Sequence, residues 1–371
     1  MTYIVCGILS AFTLVAYKKY DKQLGIVFLF VLFVIGGFCT SSPDYQVYYD
    51  FFKYHSLNLG SISEPLYLLI NTMAFNTGMS YQSFFAIQVA LSLLLIYSIS
   101  RYFDSNIAIV LMFFCAFPFA INVVQIRNFL SFSIVLFAFI FLFEYYNSGE
   151  KKHLLIFVVT VIFSSLIHFS AAFFLICIIP VLFRNMRTWK TVLIGIVSGF
   201  LLSNLDVLYS LLVPIIGMRK AETWLSGNET YSFLHIIIVI FLRLLLIGII
   251  FLLDHAIQSD QVCVEEISSR SNSIDSFLYN ESLFLILSIL PLELLLQQYD
   301  RFSRVYLVLF YIFFSRRIPK LELKNRIILW VLTILMMSLL CYYEYSRGTN
   351  SGYALWDTVF RSVFEHNALI S

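Results

Sequence analysis

Apolar residues in this chain come in long unbroken runs, and such runs must be kept from water along their whole length. They cover residues 3–17, 24–41, 81–100, 106–122, 127–146, 154–183, 191–214, 232–253, 281–298, 301–315 and 326–343. About 20 such residues cross the roughly 30 Å hydrocarbon core of a bilayer as an α-helix. None of the runs alternates as a barrel strand would, and a helix satisfies its own backbone in lipid. Of the 371 residues 60% are hydrophobic and 12% charged, with a mean hydropathy of +0.87, more apolar surface than a soluble domain can bury. The expected fold is all-α: one polytopic integral membrane domain over residues 1–371, with about 11–12 transmembrane or re-entrant helices and a polar site on one face.

A net charge of +2 makes no case for nucleic acid. Cys6, Cys39, Cys115, Cys177, Cys263 and Cys341 are scattered, with no C-x-x-C pair, so neither a disulfide frame nor a zinc site is expected. Tyr3 to Tyr17 lacks a basic leader and a small-residue cleavage pattern and reads as a retained span.

Lysine and arginine set the orientation. Lys18, Lys19 and Lys22, then Arg101, Lys151 with Lys152, Arg184 with Arg187 and Lys190, and the run from Arg316 and Arg317 to Arg326 mark one set of loops as cytoplasmic. The N-terminus and the large 42–80 loop then face outward, as does the tail from Glu344. The 254–282 segment becomes a polar cytoplasmic loop or surface helix with little chemistry in it. The 154–183 run is basic at both ends and would be about 45 Å long as one helix. Two short helices meeting near Leu166–Ser170 satisfy the charge rule and put His168 at an outer apex; one long tilted helix is the alternative.

Within the outer loop, Ser41 to Tyr67 gathers prolines, acids and tyrosines: Pro43, Asp44, Tyr45 and Tyr48, then Glu64, Pro65 and Tyr67. The tyrosines suit an interfacial aromatic belt, but carboxylates gain nothing there. Residues 64–77 read as a short helix, capped by Ser63, with Pro65 in its first turn and too short to span. Three arginines oppose the charge rule: Arg127 opens one span, and Arg301 and Arg304, spaced i, i+3, open another. They could be headgroup anchors, yet a guanidinium is also a rigid fork suited to phosphate oxygens. Arg219 and Lys220, in the 218–231 loop, are balanced between the two readings.

Arginines, carboxylates, a histidine and tyrosines on one outer face suit an anionic lipid-linked sugar. A diphosphate leaving group needs its charge neutralised, the arginines' part, and the attacking hydroxyl needs a base, for which Asp44, Glu64 and His168 are candidates. Tyr45, Tyr48 and Tyr67 would stack on sugar faces. With no D-x-D pair in the outer loops, neither a metal nor a cofactor is expected.

The ordered set Pro43-Asp44-Tyr45 with Tyr48, Glu64-Pro65-Leu66-Tyr67, Arg127, His168-Phe169-Ser170 and Arg301-Phe302-Ser303 resembles the bacterial O-antigen and exopolysaccharide polymerases of the Wzy class, in their EpsG-like subgroup. Members of that subgroup often carry Arg-Gln where this chain has Arg127-Asn128, which keeps an amide but shortens its reach. The resemblance implies an inner-membrane glycosyltransferase that moves a growing glycan from undecaprenyl pyrophosphate onto a new lipid-linked repeat unit at the periplasmic face. Its implied partners are that oligosaccharide substrate, membrane lipids, a chain-length regulator and a flippase. Two other classes stay open: a membrane O-acyltransferase using His168 as base, and a transporter of lipid-linked sugars. A transporter would carry repeat symmetry and helices broken near the midplane; the polar residues here crowd one face instead.

Overall fold

The computed structural model describes residues 2–54, 64–183, 188–203, 233–260, 269–295, 297–346 and 355–369. Among them there are helices and no strand, as the apolar runs require. Among the described residues six helices are long and apolar enough to cross a membrane: Lys19–Gly37, Tyr81–Tyr102, Ile126–Ser148, Phe233–Ala256, Arg270–Leu295 and Leu323–Ser346. Ser63, the 218–231 loop with Arg219 and Lys220, and Arg184 and Arg187 lie outside the described residues.

The chain forms two compact units, residues 1–175 with 337–371, and residues 176–336. The first begins with α1 (Thr2–Gly37), α2 (Tyr45–Lys53), α3 (Pro65–Asn76), α4 (Tyr81–Tyr102), α5 (Ile107–Ala116), α6 (Phe119–Val124), α7 (Ile126–Ser148) and α8 (Lys151–Ser165). A 3₁₀ segment, Phe169–Cys177, leads to α9 (Ile178–Leu182), α10 (Thr188–Leu202), α11 (Phe233–Asp260), α12 (Ser269–Leu295), α13 (Ser303–Arg317) and α14 (Leu323–Ser346). A π-helical turn, Trp356–Phe360, and α15 (Arg361–Glu365) close the chain.

Four expectations change in detail. The loop expected at Lys18–Lys22 is a kink at Tyr20 (φ −124°, ψ 27°) inside one helix. Lysine stems reach out to water from a continuous helix, so a basic cluster need not break it. The expected 106–122 span is instead α5 and α6, parted at Phe117–Pro118. Phe117 is extended (φ −160°, ψ 134°), as the residue before a proline prefers, and Pro118 has no N–H to continue the ladder. The 154–183 run is also not one helix: α8 ends at Ser165 and the backbone departs from α-helix through Leu166–His168. The break falls where the charge rule required it, but His168 is buried rather than standing at an open apex.

The fourth concerns 254–282, expected as a polar cytoplasmic loop or surface helix with little chemistry in it; what changes is the burial of its acids. Among its described residues it is helical, as α11 runs to Asp260 and α12 starts at Ser269. Asp275 is buried between Arg316 (2.8 Å), Arg317 (3.3 Å) and Lys320 (3.1 Å), and Asp254 receives Arg317 Nη2 at 3.4 Å. Acids that look loop-like in sequence are thus neutralised inside the second unit, which lets the helices continue.

Elsewhere the packing follows small residues and helix ends. Asp21 Oδ1 accepts the Ala108 N–H at 3.3 Å and Asn106 Oδ1 that of Ile109 at 3.1 Å, which satisfies the first turn of α5. The tail returns to the end of α1: Asn367 Nδ2 donates to Val34 O at 2.8 Å, and the Ala368 N–H to Phe38 O at 2.9 Å. That return places the tail beside the start of the 42–80 segment, the two elements that the charge rule put on one side. In the second unit α10 lies against α12 so closely that a Cβ on Gly199 would meet Ser288 O at 2.9 Å and Leu287 O at 3.0 Å.

Those neighbours are backbone atoms, which cannot step aside. Gly199→Ala is expected to destabilise the detergent-solubilised protein by about 1–3 kcal/mol. A Cβ on Gly7 has nothing within 4 Å, so Gly7→Ala serves as the neutral control. Thermal melts of the two variants against wild type check this; equal midpoints would contradict the close approach.

Candidate active site

The site in the first unit is assembled from three chain breaks. Pro65 fixes the backbone for the first turn of α3 and supplies no N–H, so the helix starts there with Glu64 as its N-cap. Glu64 rather than the expected Ser63 takes the cap position, and its side chain makes no capping bond; the carboxylate points elsewhere. The free N–H groups of Leu66 and Tyr67 donate to Leu166 O, at 3.1 and 3.4 Å, just past the end of α8. One helix start is thereby docked on another helix end. Each supplies what the other lacks, since first-turn donors and last-turn acceptors have no partners in their own helices.

The third break is at Gln125 (φ −95°, ψ 59°), between α6 and α7, and it puts Arg127 in the first turn of α7. α7 and α8 are held by paired serines: Ser131 Oγ and Ser164 Oγ are 2.8 Å apart, and Ser164 Oγ donates to Ser131 O at 2.7 Å. Small hydrogen-bonding residues let two helix backbones approach closely in lipid.

Glu64, Arg127 and His168 meet there. Arg127 Nη1 donates to Glu64 Oε2 at 3.2 Å, and His168 Nδ1 lies 3.3 Å from Glu64 Oε1. Glu64 and His168 are buried, while the Arg127 side chain keeps 21% of its surface. The Arg127 guanidinium also sits 5.6 Å over the ring of Tyr67, which is fully buried. Burial pushes the Tyr67 phenol well above the ordinary tyrosine range, with Arg127 opposing. Tyr48 meets Tyr67 edge-on, with ring centroids 6.4 Å apart. Asn128, next to Arg127, is buried between Gln125 Oε1 (3.0 Å) and Ser170 Oγ (3.5 Å), an internal brace across the breaks.

Five of the nine residues singled out by sequence thus come together: Glu64, Arg127, His168, Tyr48 and Tyr67. Asp44 is half-buried at the start of α2. Tyr45 turns to α4, donating to Gln82 Oε1 at 2.8 Å and packing on Tyr81, with its phenol pushed up by burial. Gln82 in turn donates to Gly37 O at 2.7 Å, so Tyr45 ties α2 to the end of α1.

Arg301 and Arg304 belong to the second unit. Sequence placed both on one helix, but α13 begins at Ser303, leaving Arg301 on the preceding 3₁₀ turn. Arg304 is buried and Arg301 half-buried. The same unit holds a pair that the sequence reading missed. Arg243 grips Glu293 through Nε (2.9 Å) and Nη2 (3.1 Å), and Tyr306 Oη donates to Glu293 at 3.3 Å. The signal was present: Arg243 is the one lysine or arginine inside the apolar 232–253 run, and a charged group there calls for a partner. Among the described residues no group of three or more His, Cys, Asp or Glu side chains could hold a metal ion.

A family model, EpsG family, matches residues 22–356. The chain belongs to the EpsG family. No curated protein and no solved structure matches it. The EpsG family suggests a glycosyltransferase-like, polysaccharide polymerase-type function, and the six long apolar helices make this member an integral membrane protein. The matched region takes in Asp44, Glu64, Arg127, His168, Arg301 and Arg304.

The shared carboxylate sets a stability test. Arg127→Met leaves Glu64 buried with half of its pairing. The cost is expected at about 1–3 kcal/mol, below the full penalty of a stranded charge because Arg127 is partly solvated. Adding Glu64→Gln should recover a good part of that loss, a coupling visible in a double-mutant cycle of detergent melts. Strict additivity would mean that the two side chains do not interact.

Proposed function

We propose that this EpsG-family protein is a repeat-unit polymerase of the Wzy class. It would transfer an undecaprenyl-pyrophosphate-linked glycan onto a new lipid-linked repeat unit at the periplasmic face of the bacterial inner membrane. The observation that carries the reading is the sharing of Glu64 between His168 and Arg127.

That sharing favours His168 among the three candidate bases. Both Glu64 oxygens face cationic or N–H donors, so its carboxylate is poorly placed to take a further proton. It is well placed to fix the ring of His168. With Nδ1–H directed at Glu64 Oε1, the histidine presents Nε2 as the basic nitrogen. In the proposed step Nε2 takes the proton of the acceptor hydroxyl as that oxygen bonds to the anomeric carbon of the donor sugar. The bond from that carbon to the diphosphate oxygen breaks, and undecaprenyl pyrophosphate leaves with the electron pair. Guanidinium groups suit the charge that develops there, the role proposed here for Arg127; phosphate binding by Arg301 and Arg304 is a separate proposal for the second unit. Glu64 is then a positioning residue and His168 a catalytic one. Tyr48 and Tyr67 wall the site, and Asp44 and Tyr45 serve the start of α2.

Two experiments follow, both using purified lipid-linked repeat units and full-length protein in nanodiscs. His168→Ala should lower the polymerisation rate by roughly 10²–10⁴-fold, Glu64→Gln by less, and Asp44→Asn little. A large loss in Asp44→Asn with near-normal His168→Ala would move the base to Asp44.

Lysine in place of Arg301 or Arg304 keeps the charge but loses the planar fork. Each variant is expected to lose about 10–100-fold in rate at unchanged protein level. Full activity in both would reduce the pair to headgroup anchors.

A further inference from the structure

The tail carries a column of aromatic rings that begins in the open and ends in the core of the first unit. Trp356, 48% exposed, stacks on Phe360, with ring centroids 4.2 Å apart and planes 13° from parallel. Phe360 stacks on Phe364 at 4.5 Å, and the buried Phe364 meets Phe119 of α6 at 6.1 Å. Tyr345 closes the column from the side, edge-on to Phe360 at 5.2 Å and to Trp356 at 6.3 Å.

The stack follows from local backbone. The turn Trp356–Phe360 is π-helical, and i→i+5 bonding widens each turn by about one residue over an α-helix. Side chains four apart then lie almost directly over one another. Such turns are rare and frequent at functional sites. The result is an indole fixed in orientation by its neighbours while about half of its surface stays open.

What borders the open ring narrows what it can meet. Asp357, Arg361 and Glu365 line the adjoining stripe, with side chains 52%, 52% and 29% exposed. Arg361 Nη1 donates to Asp357 Oδ1 at 3.3 Å and Arg361 Nε to Glu365 Oε1 at 3.1 Å. Two acids against one arginine leave the stripe with an excess of negative charge. That excess opposes phosphate headgroups, and exposed charges do not belong against acyl chains. An immobile ring face bordered by carboxylates and a guanidinium suits a sugar. The C–H face of the sugar covers the ring, and its hydroxyls donate to carboxylate lone pairs or accept from N–H groups. The polysaccharide polymerase-type function of the EpsG family makes a glycan the fitting ligand class.

We infer that Trp356, with the Asp357–Arg361–Glu365 stripe, forms a secondary glycan seat that holds the polysaccharide chain apart from the reacting sugars. The column rests on α6, whose end leads through Gln125 to Arg127, so seat and candidate active site share one scaffold. A chain held at both places is retained between additions, because its second contact is intramolecular. Retention of a growing chain rests on the polymerase reading given above; saccharide binding at Trp356 does not.

The test uses Trp356→Ala and Asp357→Asn in the full-length protein in nanodiscs. The binding probe is a lipid-free oligosaccharide cut from the producing strain's own surface polysaccharide, followed by calorimetry. Trp356→Ala should bind it about tenfold more weakly and Asp357→Asn about threefold. Asp357→Asn, an exposed change, should keep the wild-type melting midpoint, which separates lost binding from lost folding. From lipid-linked repeat units both variants should make shorter chains. The emission of Trp356, taken as the difference between wild type and Trp356→Phe, should respond to the oligosaccharide and not to lipids with brominated acyl chains. Unchanged binding in both variants, or no saturable binding to the wild type, would overturn the inference. Quenching by the brominated chains would overturn it too and make the ring a membrane anchor. Weakened binding with chains of normal length would overturn the retention role. Weakened binding in a protein that makes no polymer would uphold the saccharide seat and refute the polymerase reading instead.

Discussion

A carboxylate buried as deeply as Glu64 stays ionised only if its charge is matched, and the architecture of the first unit follows from how that is done. Arg127 and His168 take one oxygen each, at 3.2 and 3.3 Å. The three residues are far apart in sequence, so three helix ends must converge: the start of α3, the start of α7 and the end of α8. Two sets of bonds hold them there, the Leu166 carbonyl that caps the start of α3 and the serine pair between α7 and α8. Neither set involves the carboxylate. These backbone and serine bonds and the ion pair hold the same three ends, and the ion pair sets the ring of His168 among them.

Breaking helices where the ends are buried is expensive, because each break leaves backbone groups that need a partner inside the protein. The first unit meets this cost locally. Pro65 and Pro118 sit where a donor would otherwise be wasted. Leu166 accepts across the break, and Asn128 spans from Gln125 to Ser170. Asn128 therefore does structural work that any side chain with a short amide can do, which accounts for Asn rather than the longer Gln at this position.

Much of this was legible in the sequence because the signals are local. Apolar runs gave the helices, Pro65 gave the start of α3, and the basic residues flanking 154–183 favoured the break that falls at Leu166–His168 over one long tilted helix. Arg127 stood out because it opposes the charge rule, and His168 because it falls where the two short helices of 154–183 meet. What sequence could not supply is pairing at a distance. Nothing local tells Glu64 that its partner is 63 residues away, or Asp275 that Arg316 lies 41 residues on. Without that knowledge 254–282 reads as a solvated loop or surface helix, and the division of roles among Asp44, Glu64 and His168 stays open.

Both units solve one problem in the same way, with an arginine paired to a glutamate and laid over a tyrosine ring, at 5.6 Å for Arg127 and 5.5 Å for Arg243. A ring face offers a guanidinium about 0.5–2 kcal/mol of attraction without a counter-charge, which suits a site poor in water. The two copies differ in how far the arginine is used up. Arg243 spends Nε and Nη2 on Glu293 in a fork with both partners almost wholly buried, so its charge is cancelled where it stands. Arg127 spends a single nitrogen on Glu64, keeps Nε without a partner among the described residues, and retains a fifth of its surface. A closed fork is a fastening between helices. An arginine held by one nitrogen and one ring is oriented but still has donors to offer, and for that reason the proposed site is built around Arg127 rather than Arg243.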